Sequence, residues 1–169
     1  LPAYINITDG KIADNKGAYD IPLLKNSVVV ADRFYNDFSL LNVWDSNKVF
    51  FVIRHKENLQ FKSIKENELP DNRHQHILKD EVIELTGNQS KTKYPKQLRR
   101  LAIWDDENKQ EIELITNQTI WTANTIGELY KARWQVEIFF REIKQLLHIK
   151  SFVGTSENAV MIQIWTALI

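Results

Sequence analysis

The chain has 169 residues, of which 43% are hydrophobic and 11% aromatic, with five Gly and four Pro, a composition that predicts a folded domain and excludes a disordered one. It carries 22 basic and 22 acidic side chains, so a uniformly basic nucleic-acid-binding surface is excluded and any such contact must be local. The absence of Cys excludes disulfides and thiolate metal sites, and we therefore expect a reducing, cytoplasmic location.

The first part of the chain, residues 1–57, predicts a strand, a helix and a second strand. Tyr4 to Thr8 alternates weakly and suggests an earlier strand. Ser27 to Asp32 is a β-branched run typical of a buried strand, and it ends on a carboxylate. Asn36 or Asp37 can cap the helix that follows, and Lys48 to His55 is again a buried-strand pattern. A strand, helix and strand in this order predict a parallel pair in an α/β sheet.

Residues 58–117 have a different character and are predicted to be a β-rich insertion. Short apolar runs at Asp80 to Leu85, Leu98 to Trp104 and Glu111 to Thr116 are separated by polar turns. The segment from Gln89 to Arg100 contains basic residues and no acidic one: Lys91, Lys93, Lys96, Arg99 and Arg100. It is either a solvated loop or a contact for phosphate groups.

Residues 118–169 are predicted to be helical. Thr125 to Glu128 has the pattern of a capping box, and a long helix is expected from there to about Leu147. Residues 148–154 predict a break, after which Thr155 or Ser156 can cap a last helix. The chain starts without Met and is still apolar at its last residue, so we expect it to be an internal piece of a longer protein.

The long helix carries a polar stripe beside an apolar arc. At about 100° per residue, Tyr130, Arg133, Glu137 and Lys144 fall within roughly 60° of one another. A carboxylate between cations is suited to a site that handles a metal and a phosphate together. The plainer interpretation is a solvated ion pair, because Arg133 and Glu137 are four residues apart.

The spacing Tyr130-x-x-Arg133-x-x-x-Glu137, followed seven residues later by Lys144, resembles the Tyr-Arg-Glu-Lys signature of the fourth insertion-sequence family of DDE transposases. The strand-terminal segment Ala31 to Tyr35 resembles the region of that family's second catalytic Asp. The resemblance implies an α/β fold of the ribonuclease-H-like class. Residues 1–57 would be the N-terminal part of its core, 58–117 the insertion and 118–169 the C-terminal helices. The first strands and the first catalytic Asp would lie outside this chain.

By the same resemblance, Asp32 and Glu137 are the second and third catalytic acids and the ligands of two Mg²⁺ or Mn²⁺ ions. Tyr130, Arg133 and Lys144 would be DNA-binding residues that contact backbone phosphates. The implied partners are double-stranded DNA, as transposon ends and target, and a second copy of the protein in a synaptic homodimer, with no membrane. Trp104 and Trp121 are candidates for stacking a flipped base, although each is also expected as core.

Two other functions stay open at this point. The chain could belong to a protein that grips DNA ends without cutting them, or to a different nuclease with a ribonuclease-H-like fold. Divalent-metal-dependent cleavage by the complete protein would distinguish a transposase from the first, and joining of a precut end to target DNA would distinguish it from the second.

Overall fold

A computed structural model describes residues 14–55, 58–69, 76–106, 108–146 and 156–168. The described residues form a mixed α/β structure with six α-helices, two short 3-10 helices (Ala18–Asp20 and Arg33–Tyr35) and six strands. In chain order the elements are α1 (Asp14–Gly17), β1 (Val28–Ala31), α2 (Phe38–Ser46), β2 (Phe50–Arg54), β3 (Phe61–Glu66), β4 (Ile77–Leu85), α3 (Asn88–Lys93), β5 (Leu98–Asp105), β6 (Gln110–Thr116), α4 (Ala123–Ala132), α5 (Trp134–Leu146) and α6 (Glu157–Leu168).

The predicted strand, helix and strand of the first part are confirmed. β1 and β2 are parallel, with Val28 opposite Phe50 and Ala31 opposite Ile53. α2 connects them and begins after Asp37, whose side chain accepts a hydrogen bond of 2.9 Å from the Ser39 amide. Asp37 is therefore the capping residue, because its carboxylate satisfies an amide that has no partner within the helix.

All six strands belong to one sheet, in the order β1, β2, β6, β5, β4, β3. The predicted apolar runs of residues 58–117 are strands, and β6 pairs antiparallel with β2. β5, β4 and β3 then follow in an antiparallel series. The strands of this segment thus extend the sheet that β1 and β2 begin, and the boundaries of an insertion at 58–117 stay a prediction.

Each face of the sheet is covered by a separate apolar cluster. On the first face, the helix α2 buries Leu40 and Leu41 against Phe51 and Ile115. On the second face, α4 packs its buried side chains onto residues of β2, β4, β5 and β6, namely Val52, Ile77, Leu101, Ile103, Ile112 and Leu114. Burial of this apolar surface fixes α4 across the sheet, close to β1 and β2.

The C-terminal helices differ from the prediction in two respects. The cap of α4 is Thr122 and not Thr125, because the Thr122 hydroxyl accepts from the Thr125 amide at 3.1 Å. The single long helix was wrong: α4 ends at Ala132 and α5 begins at Trp134, with Arg133 between them. The predicted Ser156 cap of α6 is confirmed by a bond of 3.4 Å from the Ala159 amide.

Two of the predicted features lie outside the described residues: the strand from Tyr4 to Thr8 and the break at residues 148–154. Among the helices that can be described, none is both long and apolar enough to cross a bilayer.

Asp45, near the C-terminal end of α2, holds together three parts of the chain at the end of the sheet near the start of β2. Its carboxylate accepts from Lys96 at 2.5 Å and from Asn117 at 2.8 Å. Asn117 in turn accepts from the Phe51 amide at 3.0 Å. Burial acts to raise the pKa of Asp45, but the hydrogen bonds from Lys96 and Asn117 outweigh it and hold the pKa below its usual value.

We expect Asp45→Asn to lower the free energy of unfolding by about 1 to 2 kcal/mol at pH 7, because a charged acceptor of several hydrogen bonds is lost. Because the pKa of Asp45 is lower in the folded protein, its charge stabilises the fold at pH values above the pKa of the unfolded carboxylate, about 3.9. This contribution to stability is lost as the pH falls from that value through the folded-state pKa. Urea unfolding at pH 7 and pH 3 checks this. If Asp45→Asn lowers the free energy of unfolding by the same amount at both pH values, the proposed contribution of the Asp45 charge is contradicted.

Candidate active site

The candidate site lies at the edge of the sheet where β1 and β2 end. Asp32 directly follows β1 and is partly buried, and its Oδ1 accepts a hydrogen bond of 2.8 Å from the Phe34 amide. Arg54 ends the parallel neighbour β2 one residue beyond Ile53, which is the partner of Ala31. Parallel strands bring their carboxyl ends to the same edge, so Asp32 and Arg54 lie at one end of the sheet.

Tyr130 approaches this edge from α4. Its side chain is buried in the second apolar cluster, with 4% of the residue exposed. Burial raises the pKa of Tyr130, Arg133 and Arg54 oppose that effect, and the charge of Asp32 adds to it. Tyr130 therefore lies within electrostatic range of Asp32 and both arginines, and its hydroxyl stays protonated and able to donate a hydrogen bond at neutral pH.

Arg133 connects Tyr130 to Glu137. Its guanidinium group lies over the Tyr130 ring, with 5.4 Å between the guanidinium carbon and the ring centroid. Its Nη1 donates to Glu137 Oε1 at 2.7 Å, across the break between α4 and α5. The Nε of Arg133 is buried and has no hydrogen-bond partner within the part of the chain that the structure describes.

The structure thus brings three of the five predicted site residues into direct contact, Tyr130 with Arg133 and Arg133 with Glu137, while the charge of Asp32 contributes to the raised pKa of Tyr130. The fifth, Lys144, lies in α5, but its side chain is outside the described residues. The polar stripe was predicted on one continuous helix, whereas Tyr130 and Glu137 belong to two. Val136 belongs to the predicted apolar arc beside the stripe, but it is half exposed, so the arc is not fully buried.

The donor chemistry at this edge fits a hard divalent cation, for which carboxylate oxygens are suitable ligands. The number of donors is small. The described ranges contain no group of three or more His, Cys, Asp or Glu side chains that could hold a metal ion. From these residues, Asp32 and Glu137 can supply at most two of the ligands of a metal centre.

The basic segment from Gln89 to Arg100 is mostly not a free cationic surface, which corrects part of the prediction. Arg99 and Arg100 lie in β5 and are buried, and they form ion pairs with Asp80 and Glu81 on the neighbouring strand β4. Lys96 pairs with Asp45. The exposed cations Lys91 and Lys93 remain, on the short helix α3.

Of the two aromatic candidates for base stacking, Trp104 has the more open position. It is 38% exposed and lines a cavity of about 240 Å³ that also reaches Tyr130 and Glu128. Trp121 packs on Phe50 with 6.4 Å between ring centroids, as expected of a core residue.

Arg54 is a residue that the sequence prediction missed. Its position at the end of β2 brings a positive charge close to Tyr130 and to the edge where Asp32 lies. A cation at the end of a buried strand that is parallel to β1 would have been the signal to look for.

The family model described as "Transposase DDE domain" matches residues 1–169, the whole chain. The chain therefore belongs to the DDE transposase family. Among curated proteins it is 31% identical to "Putative transposase y4zB" of Sinorhizobium fredii over 99% of the chain and 47% of that protein. It is 32% identical to "Probable transposase for insertion sequence element IS5377" of Geobacillus stearothermophilus over 84% of the chain and 37% of that protein. It is 26% identical to "Putative transposase for insertion sequence element IS4SA" of Synechocystis, over 100% of the chain and 47% of that protein.

The chain spans less than half the length of these relatives. The α/β fold with a six-stranded sheet is consistent with the DDE transposase family.

Proposed function

We propose that this chain supplies two catalytic carboxylates, Asp32 and Glu137, to a transposase that cuts DNA at the ends of an insertion sequence and joins them to target DNA. The observation that carries the proposal is that Tyr130, Arg133 and Glu137 are in direct contact in series, and that Tyr130 lies on α4, which packs against β1, the strand that Asp32 directly follows. A solvated ion pair between Arg133 and Glu137 would not require the buried Tyr130 or the neighbouring Asp32.

Asp32 and Glu137 would hold Mg²⁺ or Mn²⁺, and a further carboxylate would complete the set of ligands. When bound, such ions would supply the activation of an attacking hydroxyl and the stabilisation of the leaving oxygen. Asp32 is suited to this role because the Phe34 amide orients its carboxylate at the end of a strand. Glu137 is suited because its pairing with Arg133 is partly exposed, so the carboxylate can rotate toward a cation.

Arg133, Tyr130 and Lys144 would contact the phosphates of the transposon end. The Nε of Arg133 has no hydrogen-bond partner among the described residues, and Tyr130 has a protonated hydroxyl that can donate. The positions of these residues in a Tyr-Arg-Glu-Lys pattern favour the fourth insertion-sequence family. A second copy of the protein would complete the synaptic complex. Trp104, the more exposed of the two aromatic candidates, would stack a flipped base.

The complete protein, given a DNA fragment with the transposon end, tests the proposal. We expect cleavage that disappears when EDTA removes divalent ions and returns with Mg²⁺ or Mn²⁺. We also expect a precut end to be joined to target DNA, which a simple nuclease would not do. Tight binding of the end without divalent-dependent cleavage would instead indicate a DNA-end-binding protein.

A substitution of Lys144 is expected to act on binding more than on chemistry. Lys144→Ala should weaken binding of the transposon end and reduce the slope of log K against log salt by about 0.9, because one phosphate contact is lost. Fluorescence anisotropy at several salt concentrations measures this slope. Lys62→Ala is the matched control, since Lys62 is exposed on β3, at the sheet edge opposite β1. Equal slopes for both variants would contradict the phosphate contact.

A further inference from the structure

Arg99 makes an unusual set of contacts for a residue in the middle of a sheet. Its side chain is buried, with 5% of the residue exposed, and it forms a two-pronged ion pair with Asp80 on β4, with 2.8 Å from Nε to Oδ1 and 2.6 Å from Nη2 to Oδ2. The third nitrogen, Nη1, donates to the main-chain carbonyl of Trp121 at 2.5 Å and lies 3.5 Å from that of Gln118. One guanidinium group therefore joins two strands to the loop between β6 and α4.

This loop, residues 117–122, is ordered up to the first turn of α4. The Gln118 amide donates to the Thr116 hydroxyl at 2.9 Å, and the Ile120 amide donates to the Gln118 side chain at 2.9 Å. Thr122 then caps α4. Asn67 donates to Asp80 Oδ1 at 3.0 Å and so helps to hold the carboxylate that orients Arg99. The start of α4 is thus tied to the sheet through the Arg99 guanidinium group.

The position of Tyr130 depends on where α4 starts. Tyr130 lies seven residues after Ala123, which is about 10 Å along a stiff helix. A shift or rotation at the start of α4 would move Tyr130 away from Asp32, and Arg133 and Glu137 would move with it.

We propose that Arg99 is a positioning residue for the candidate active site: by holding the carbonyls of Trp121 and Gln118, it sets the placement of α4 and hence of Tyr130 and Arg133 relative to Asp32. A purely stabilising role explains these contacts less well, because a buried ion pair can often be replaced by apolar residues without loss of stability. The expected effect on DNA cleavage rests on the proposed function, whereas the effect on the loop and on Tyr130 does not.

The test is the double variant Arg99→Met with Asp80→Leu, which removes both charges, keeps side-chain volume and leaves no unpaired buried charge. We expect a melting temperature close to that of the unchanged protein. Hydrogen exchange of the amides in residues 118–126 should rise on the order of tenfold, while the amides of β4 and β5 stay protected. The pKa of Tyr130, followed by NMR of labelled tyrosine and assigned with Tyr130→Phe, should fall toward its ordinary value of about 10.

The matched control is Arg100→Met with Glu81→Leu. These residues lie on the same two strands, and their side chains also form a buried ion pair. Arg100 contacts Glu81 and Glu113 of the sheet, and Glu113 keeps its contact with His55 when Arg100 is replaced. This variant should leave both the exchange of residues 118–126 and the titration of Tyr130 unchanged. Equal loosening in the two double variants, or none in the Arg99 variant, would overturn the inference.

Cleavage by the complete protein gives a third comparison. The Arg99 and Asp80 variant should cut transposon ends at least about tenfold more slowly than the Arg100 and Glu81 variant. A loosened loop with full cleavage activity would show that Arg99 does not position the site. If the unchanged protein itself does not cut, the proposed function fails, and the exchange and titration data alone decide whether Arg99 positions α4 and Tyr130.

Discussion

Replacing Glu137 by Gln in the complete protein is expected to lower the rate of transposon-end cleavage about 1,000-fold, which corresponds to roughly 4 kcal/mol of activation free energy. The amide keeps the volume and one oxygen acceptor of the carboxylate, but it lacks the negative charge that a hard cation requires. Binding of the transposon end should change little, since Arg133 and Lys144 remain. Nicking assays and anisotropy with the same DNA measure both quantities.

The stability and the cleavage activity of the Glu137→Gln protein together separate the metal-ligand role from a surface ion pair. The pair with Arg133 is partly exposed, and its loss should cost under about 1 kcal/mol of unfolding free energy. Glu142→Gln on the same helix is the control, because Glu142 is exposed and is not part of the signature. A Glu137→Gln protein as active as the Glu142→Gln control would contradict the proposed role.

Asp32→Asn is expected to have an effect of the same order on cleavage. Asn can still accept the hydrogen bond from the Phe34 amide through its side-chain oxygen, so the local turn after β1 should be preserved. What it loses is the charge that binds a divalent ion. The expected result is a folded protein with about 1,000-fold slower cleavage, and higher Mn²⁺ concentrations should restore part of the rate.

Asp37→Asn is the control for Asp32. It lies five residues later and caps α2 in a similar way, since its carboxylate accepts from the Ser39 amide. Because Asn is as good a capping residue as Asp, this variant should be stable and fully active. Equal losses of cleavage in the two variants would show that general disturbance of this segment is the cause, and not loss of a metal ligand.

Local elements were predictable where the sequence contains a strong local signal. The β-branched run before Asp32 predicted β1, and the side chains of Asp37 and Ser156 begin helices as expected. The break at Arg133 was not predictable, because neither Pro nor Gly occurs there and the apolar period continues across it. At that point the Arg133 guanidinium group lies over the Tyr130 ring.

Long-range pairing could not be predicted from local patterns. Arg99 and Arg100 lie in a basic stretch that resembles a solvated loop. In β5 successive side chains point to opposite faces, and each of these two meets an acid on β4, 19 residues earlier in the chain. The same limit applies to the sheet order, since β6 pairs with β2 across about 60 residues. Resemblance to a family located the candidate site, and the fold supplied the contacts through Tyr130 and Arg133.

The most direct measurement of the central proposal is a crystal structure of the complete protein soaked with Mn²⁺, with the ion located by its anomalous scattering. The proposal predicts carboxylates of Asp32 and Glu137 within roughly 8 Å of each other, given ions about 3.5 to 4 Å apart. Each should have an oxygen within about 2.5 Å of a bound ion. Mn²⁺ bound elsewhere, with Asp32 and Glu137 on separate surfaces, would contradict it.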